Sequence, residues 1–96
     1  MSSSPYRVLT TPTFEREIRK LTQRNPQVIK HFDRTLKVLR SDPWNRTRSH
    51  NIKQLKEVKP GEGQFRIRSG EWRLRYDITG QDVILHSFRH RKEAYR

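Results

Sequence analysis

The sequence contains no cysteine, which excludes disulfide bonds, zinc sites built from thiolates and cysteine nucleophiles. Apolar residues are scarce at 30%, and no stretch approaches the roughly 18–20 apolar residues of a membrane span. The polar start, Met1-Ser2-Ser3-Ser4-Pro5, differs from a secretory signal, so we expect a cytoplasmic protein without membrane contact. Acidic residues and histidines do not cluster at the spacing of metal ligands, and we therefore expect no cofactor.

Acidic residues are also few. Ten Asp and Glu oppose 22 Lys and Arg, which gives the 96-residue chain a formal net charge of +12 at pH 7. This excess is spread along the whole chain, and residues 45–56 contain four basic residues and no acid. Such a stretch is often only a solvated basic loop. At this overall charge, however, a polyanionic partner is expected, either nucleic acid or an acidic protein.

The hydrophobic pattern predicts one α+β domain over residues 1–96, with residues 1–5 flexible. A short strand over residues 6–10 precedes two helices. Thr11-Pro12 and Asn25-Pro26 each combine an N-cap with a proline at the first helical position, and Asp42-Pro43 ends the second helix. The apolar stripes of the two helices are Phe14, Ile18 and Leu21, then Val28, Ile29, Phe32, Leu36 and Leu39.

From Gln64 onward apolar and polar residues alternate, which is typical of strands. We predict a three-stranded antiparallel meander that forms one twisted sheet with the N-terminal strand. The two helices are expected to cover one face of this sheet, because the apolar residues of the strands all point to one side.

A two-residue turn at Ser69-Gly70 is predicted, because glycine supplies the positive φ that such turns require. This register pairs Arg66 with Arg73 on the face away from the helices and places Arg68 close by. Opposed like charges destabilise by up to about 1 kcal/mol a pair, and arginine cannot lose its charge. We therefore expect the cluster to bind an anion such as phosphate. Alternatively, nearby acids neutralise it as surface ion pairs, the candidates being Glu71, Asp77 and Asp82.

The third strand leads into His90, Arg91 and Tyr95, which we expect near the same face. A tyrosine can stack on a base or exchange a proton, histidine titrates near neutral pH, and arginine can stabilise charge on a scissile phosphate. The convergence of these residues with the arginines of the hairpin predicts a site for RNA.

Two segments together resemble the RelE/ParE toxin superfamily: FRIRSGEWRLRY at residues 65–76 and HRKEAYR at residues 90–96. The resemblance covers nearly the whole chain, including both helices and Ile52-Lys53-Gln54-Leu55. It implies a RelE-like fold, a toxin of a type II toxin–antitoxin system and an acidic antitoxin as partner. Toxins of the RelE branch cut mRNA in the ribosomal A site. There the ribose 2′-OH attacks its own phosphodiester without a metal and leaves a 2′,3′-cyclic phosphate and a 5′-OH.

The resemblance also assigns roles to residues. Arg66, Arg68, Arg73 and Arg91 match positions that contact the RNA backbone and stabilise the phosphorane, and Tyr95 matches a tyrosine that stacks or transfers a proton. Arginine is a poor base, so the general base is left open among His90, Tyr95 and Lys53. The predicted catalytic set is Arg66, Arg73, His90, Arg91 and Tyr95. The predicted RNA-binding set is Arg46, Arg48, Lys53, Lys56, Arg68, Arg75, Arg89 and Lys92.

Two alternatives remain. A toxin of the ParE branch would use the same fold to inhibit DNA gyrase by binding protein. A non-catalytic RNA- or ribosome-binding module would rely on charge alone. RNA-binding sheets usually expose aromatic residues, whereas Trp72 and Tyr76 are predicted to face the helices, which argues against the module.

Overall fold

The computed structural model describes residues 5–94, and its strands form one five-stranded sheet with the order β1-β5-β4-β3-β2. Only β1 and β5 run parallel; the other neighbours are antiparallel. The elements in chain order are β1 (Arg7–Leu9), α1 (Pro12–Arg24), α2 (Val28–Ser41), β2 (Ile52–Gln54), β3 (Phe65–Ser69), β4 (Trp72–Thr79), β5 (Asp82–His90) and α3 (Arg91–Ala94). Four of the five positions predicted to be flexible, residues 1–4, lie outside the described residues, as does Tyr95.

The α+β fold and the two helices agree with the prediction, but one helix start does not. Thr11 caps α1 as predicted, since its hydroxyl accepts a hydrogen bond from the Phe14 N–H at 3.1 Å. Asn25 does not cap the second helix. It ends α1, its backbone N–H donating to the carbonyl of Leu21, and α2 begins only at Val28. The proline after Asn25 therefore lies in the connecting turn and not in the first turn of α2.

Both helices pack on one face of the sheet, and the core lies between these layers. Val28 and Leu39 are fully buried there, together with Thr35, whose hydroxyl donates to the carbonyl of Phe32 at 2.6 Å. The predicted stripe was wrong at Ile29, which is 48% exposed. The buried side of α2 follows residues 28, 35 and 39, and Ile29 lies about 100° around the helix from Val28.

The β3–β4 hairpin turns at Gly70-Glu71, one position later than predicted, so that Ser69 pairs with Trp72. Gly70 adopts a φ of 60°, and a Cβ there would lie 2.9 Å from Cε1 of His31 on α2. Packing against α2 thus favours glycine at the first position of the turn. Because the pairing moves by two residues, every side chain stays on its predicted face.

The sheet has one strand more than predicted. β2 is a three-residue edge strand that pairs antiparallel with β3, and its shortness leaves almost no alternation to detect in the sequence. At the opposite edge, Arg7 of β1 forms an ion pair with Asp82 of β5 at 2.9 Å. None of the helices within residues 5–94 is long and apolar enough to cross a membrane.

Candidate nucleic-acid interface

Basic side chains of β2, β3, β4 and β5 lie together on the sheet face opposite the helices, and we call this surface the cation face. One row crosses three strands, with Arg73 of β4 between Arg68 of β3 and Arg89 of β5. The neighbouring row crosses β2, β3 and β4. The cation face consists of Lys53, Arg66, Arg68, Arg73, Arg75 and Arg89.

Arginines of β3 and β4 lie opposite each other, as predicted, but the partners differ from the prediction. Arg66 lies opposite Arg75, and Arg68 lies opposite Arg73. Two pairs of like charges therefore face each other across β3 and β4, where one pair was expected. Like charges directly opposed across two strands are destabilising, and an anion between guanidinium groups would offset this.

One end of the cation face is covered, although the sequence predicted it to be open. The loop at residues 60–64 folds over it and is held by Asp77, whose carboxylate accepts N–H groups of Gly61, Gly63 and Gln64 at 2.9–3.0 Å. Arg75 fastens the same loop, since its Nε and Nη2 donate to the carbonyls of Gly63 and Glu62 at 3.0 and 2.7 Å. Arg75 thus contributes to the fold by holding this loop.

The remaining arginines of the cation face differ in burial. Arg73 is only 6% exposed, Arg66 is half-buried, and Arg68 and Arg89 are exposed. The Nε of Arg66 is buried and has no hydrogen-bond partner among residues 5–94. The same part of the chain places no carboxylate within 4.0 Å of Arg66, Arg68 or Arg89. These three guanidinium groups are therefore available to an anion.

The three acids that were the candidates for neutralising the arginine cluster have other partners. Asp82 binds Arg7, and Asp77 is occupied by backbone N–H groups. Glu71 lies 3.5 Å from Nη1 of Arg91, with both side chains more than half exposed. Exposed pairs of this kind are weak, so Arg91 is held only loosely at the tip of the hairpin.

His90 was expected near the arginine face, and the structure places it on the opposite one. It pairs with Trp72, which packs against Phe88 on the helix side, and its ring meets the Trp72 ring edge-on at 5.2 Å. Its Nδ1 accepts the backbone N–H of Lys92 at 3.3 Å. His90 is therefore separated by the sheet from Arg73 and Arg89.

The basic stretch after α2 is a structured loop built around Asp42. Asp42 accepts hydrogen bonds from the N–H of Arg46 and from the N–H and hydroxyl of Thr47, and His50 lies 3.7 Å away. Burial alone would raise the pKa of Asp42, but these hydrogen bonds and the His50 charge outweigh it and lower that pKa. Exposed basic side chains project from this loop and its continuation, namely Arg46, Arg48, Lys53 and Lys56.

A cleft of about 420 Å³ borders the cation face between the start of α1, the loop at residues 60–64 and β5. Its lining includes Glu17, Asp77, His86, Ser87 and Arg89. His86 enters the cleft because β5 contains a bulge there: Arg75 pairs with Ser87 and Tyr76 pairs with Leu85, so the residue between them has no partner on β4.

Residues 8–95 match the model of the family described as ParE toxin of type II toxin-antitoxin system, parDE. The chain belongs to this family. The RelE/ParE assignment made from the two sequence segments is thereby confirmed, and the protein is a toxin component of a type II toxin–antitoxin system.

A solved structure shows the same fold for this ParE-family toxin. The RelB–RelE antitoxin–toxin complex from Methanococcus jannaschii contains a chain that is 20% identical to the present one, with a TM-score of 0.58. The match covers 91% of the present chain and 94% of that chain. The predicted RelE-like α+β architecture is therefore confirmed. No curated protein matches the sequence.

The cleft beside the cation face is lined in part by His86, a residue that the sequence analysis missed. His86 was not singled out, although its position had a signal: the buried residues Leu85 and Phe88 are three apart, which strict alternation does not allow. The bulge also explains His90. Alternation counted from Val83 without a bulge would place His90 on the cation face and Arg89 on the helix side. The extra residue reverses this, so that Arg89 lies on the cation face and His90 on the helix side.

The aromatic residues of the toxin lie where they were predicted. Trp72 stacks on Phe88 at 5.4 Å, and Tyr76 is fully buried, its hydroxyl donating to the carbonyl of Pro43 at 2.7 Å. Burial raises the pKa of Tyr76, and the Asp42 charge raises it further. Neither ring is on the cation face, so base stacking there would have to come from another residue.

Proposed function

We propose that this toxin is a ribosome-dependent endoribonuclease that cuts mRNA in the A site, in the cytoplasm where translation takes place. The row Arg68–Arg73–Arg89 carries the proposal, because it lines up three guanidinium groups across β3, β4 and β5. Arginine keeps its charge at any physiological pH, so exposed Arg68 and Arg89 remain positive at the two ends of the row. A phosphodiester between them would accept charge-assisted hydrogen bonds.

The nucleophile of the proposed reaction belongs to the substrate. The ribose 2′-OH attacks the adjacent phosphorus, and arginines stabilise the charge that develops on the phosphorane. A part for Arg66 is supported by its Nε, which is buried without a hydrogen-bond partner among the described residues. Lys53 lies directly opposite Arg66 and is the basic amine closest in the register. Tyr95, the proposed stacking residue, lies outside residues 5–94.

The test is primer extension on translated mRNA with purified toxin. Wild type is expected to give stops within A-site codons, and Arg68→Ala and Arg89→Ala are expected to lower the cleavage rate at least tenfold while remaining folded. Arg19→Ala, which removes an exposed arginine of α1, is the matched control and should cleave like wild type. Absence of cleavage by wild type, or equal rates in all four proteins, would refute the nuclease.

Arg73→Ala and Arg91→Ala belong to the same test. Both are expected to relieve growth arrest if they act on RNA. Because Arg73 is buried, the thermal stability of Arg73→Ala must be measured beside its activity, whereas Arg91 is more than half exposed and should tolerate substitution. Full toxicity of both variants would contradict their catalytic assignment.

A second candidate is inhibition of DNA gyrase by a ParE-type toxin. The family match supports it, and so does the use of Arg75 and Arg91 within the fold, since Arg75 binds loop carbonyls and Arg91 contacts Glu71. Gyrase supercoiling and cleavage assays with the same preparation separate the two functions. Inhibition of gyrase together with intact mRNA would replace the nuclease proposal.

We also propose an acidic antitoxin as the partner. The net charge of +12 favours a polyanionic protein, and the RelE chain of similar fold was solved in complex with RelB. Binding of such an antitoxin is expected to weaken with added salt, which titration at two ionic strengths would measure.

A further inference from the structure

The bulge in β5 gives His86 a position that regular strand geometry would not. The residue opposite Arg75 is Ser87, the residue opposite Tyr76 is Leu85, and His86 is inserted between them. Bulges bend a strand and re-aim a side chain, and they are over-represented next to active sites. The side chain of His86 is exposed, and it lines the 420 Å³ cleft together with Ser87 and Arg89.

His86 shares the side of the sheet that carries the arginines. A Cβ built on Gly63 would lie 3.0 Å from Cβ of Arg75 and 3.2 Å from Cβ of His86, so both side chains flank the same point of the covering loop. Arg89, three residues further along β5, faces Arg73 in the row of three arginines. His86 therefore stands at the border between the cleft and the cation face.

The chain has four histidines, and the other three are engaged away from this border. They contact Ser69, Asp42 and Trp72, and they are His31, His50 and His90 respectively. The bulged residue is thus the imidazole that the fold offers to a substrate on the cation face.

We propose that His86 is the proton-transfer residue of the toxin, and that the cleft receives the ribose whose 2′-OH attacks the phosphate. This inference rests on the proposed nuclease function. Histidine is the side chain that most often performs general acid–base catalysis, because it changes charge between about pH 5 and 8.

Cleavage transfers one proton to His86 and replaces one bond to phosphorus by another. The lone pair of a neutral His86 ring nitrogen takes the proton of the 2′-OH while the 2′ oxygen forms its bond to phosphorus. The bond from phosphorus to the 5′ oxygen of the next nucleotide breaks, and that oxygen keeps the electron pair and takes a proton from water. His86 returns its proton to the solvent. The products are a 2′,3′-cyclic phosphate and a 5′-OH, with no net change in protons.

The cleft that His86 lines also contains charged side chains. Glu17 of α1 and Arg89 of β5 are two of them. Asp77 of β4 also lines it, but its carboxylate accepts three backbone N–H groups, and Arg75 of β4 is held by two carbonyls. The cleft thus combines the carboxylate of Glu17 and the guanidinium of Arg89 with the imidazole of His86, and we place the scissile phosphate toward the arginines.

The experiment measures single-turnover cleavage of ribosome-bound mRNA between about pH 5 and 8. The rate of wild type is expected to fall as the pH is lowered, because protonation removes the accepting lone pair. His86→Gln is expected to be slower by about 10²–10⁴-fold and to lose this fall relative to wild type. Lys37→Gln, at an exposed position of α2, is the control and should keep the rate and the profile of wild type. His86→Asn is made beside His86→Gln, and thermal unfolding shows that each is folded.

The outcomes separate this inference from the function on which it rests. If wild type cleaves no translated mRNA, the nuclease proposal fails and the role of His86 fails with it. If wild type cleaves and folded His86→Gln and His86→Asn keep its rate and pH profile, only the role of His86 is overturned. A third variant, His90→Gln, tests the histidine on the helix side of the sheet. If the cleavage rate of this variant alone no longer decreased at low pH, the proposal would also be overturned.

Discussion

Asp77 and Gly63 are joined by a buried hydrogen bond of 2.9 Å from the glycine N–H to the carboxylate, and this bond fixes the loop that closes one end of the cation face. Gly63 adopts a φ of 78°, a region that L-residues rarely occupy. The loop thereby forms a wall of the cleft beside His86. Its backbone conformation and the shape of the candidate site depend on each other.

Replacing Gly63 by alanine should destabilise the toxin through this loop. The new Cβ would lie 3.0 Å from Cβ of Arg75 and 3.2 Å from Cβ of His86, in addition to the positive φ. We expect Gly63→Ala to lower the free energy of unfolding by about 2–4 kcal/mol. Gly61→Ala is the matched control, because Gly61 also has a positive φ but has nothing within 4 Å of its Cβ position. Urea unfolding should show about 1–2 kcal/mol for the control, and equal losses would mean that the close approach is unimportant.

The faces of the sheet could be predicted from the sequence, whereas the pairing and the bulge could not. Alternation between Trp72 and Ile78 identifies the buried side whichever two-residue turn forms, because a shift of two restores the pattern. The turn lies against His31 of α2, where a Cβ at position 70 would come within 2.9 Å of the ring, and these two residues are far apart in the sequence. The side of His90 follows from the bulge at His86, whose only local sign is the odd spacing of apolar residues.

The candidate site was predictable in its residue types but not in their availability. The cation face contains the expected arginines, yet the burial of Arg73 and the hydrogen bonds of Arg75 depend on tertiary packing. Loop residues 60–64 gave no sign in the sequence that they would fold over the sheet. Backbone carbonyl groups accept hydrogen bonds from a guanidinium, as carboxylates do. The sequence shows where the carboxylates are, but it does not show which carbonyl groups lie near an arginine.

Removing the Asp42 charge should make the stability of the toxin less sensitive to acid. The pKa of Asp42 is lowered in the folded state, so its contribution to stability is present above about pH 4 and is lost as the pH falls further. We expect Asp42→Asn to cost about 1–3 kcal/mol at pH 7. Urea unfolding of both proteins at a series of pH values should show this difference shrinking below about pH 4. A difference that stays constant with pH would contradict the role of the charge.

Tyr76→Phe should test the buried hydroxyl at the other end of the pH range. The change removes the hydrogen bond to the carbonyl of Pro43 and should cost about 1–2 kcal/mol at neutral pH. Burial raises the pKa of Tyr76 in the folded state, so wild type should lose stability as the pH rises above about 10. The variant lacks this ionisation and should lose less. Thermal unfolding at pH 7 and at about pH 10.5 measures both effects. If both proteins lost the same stability between these pH values, burial would not raise the pKa of Tyr76.

The salt dependence of RNA binding should distinguish arginines that contact phosphate from those that hold the fold. For single-stranded RNA, each lost phosphate contact lowers the slope of log K against log salt concentration by about 0.7. We expect this reduction for Arg68→Ala and Arg89→Ala, which are exposed, and no reduction for Arg19→Ala on α1. Arg75→Ala should instead lower the melting temperature, because it releases the carbonyls of Glu62 and Gly63. Fluorescence anisotropy at several salt concentrations measures the slopes. If all four variants changed the slope equally, binding would follow net charge, and the ordered rows of the cation face would have no part in recognition.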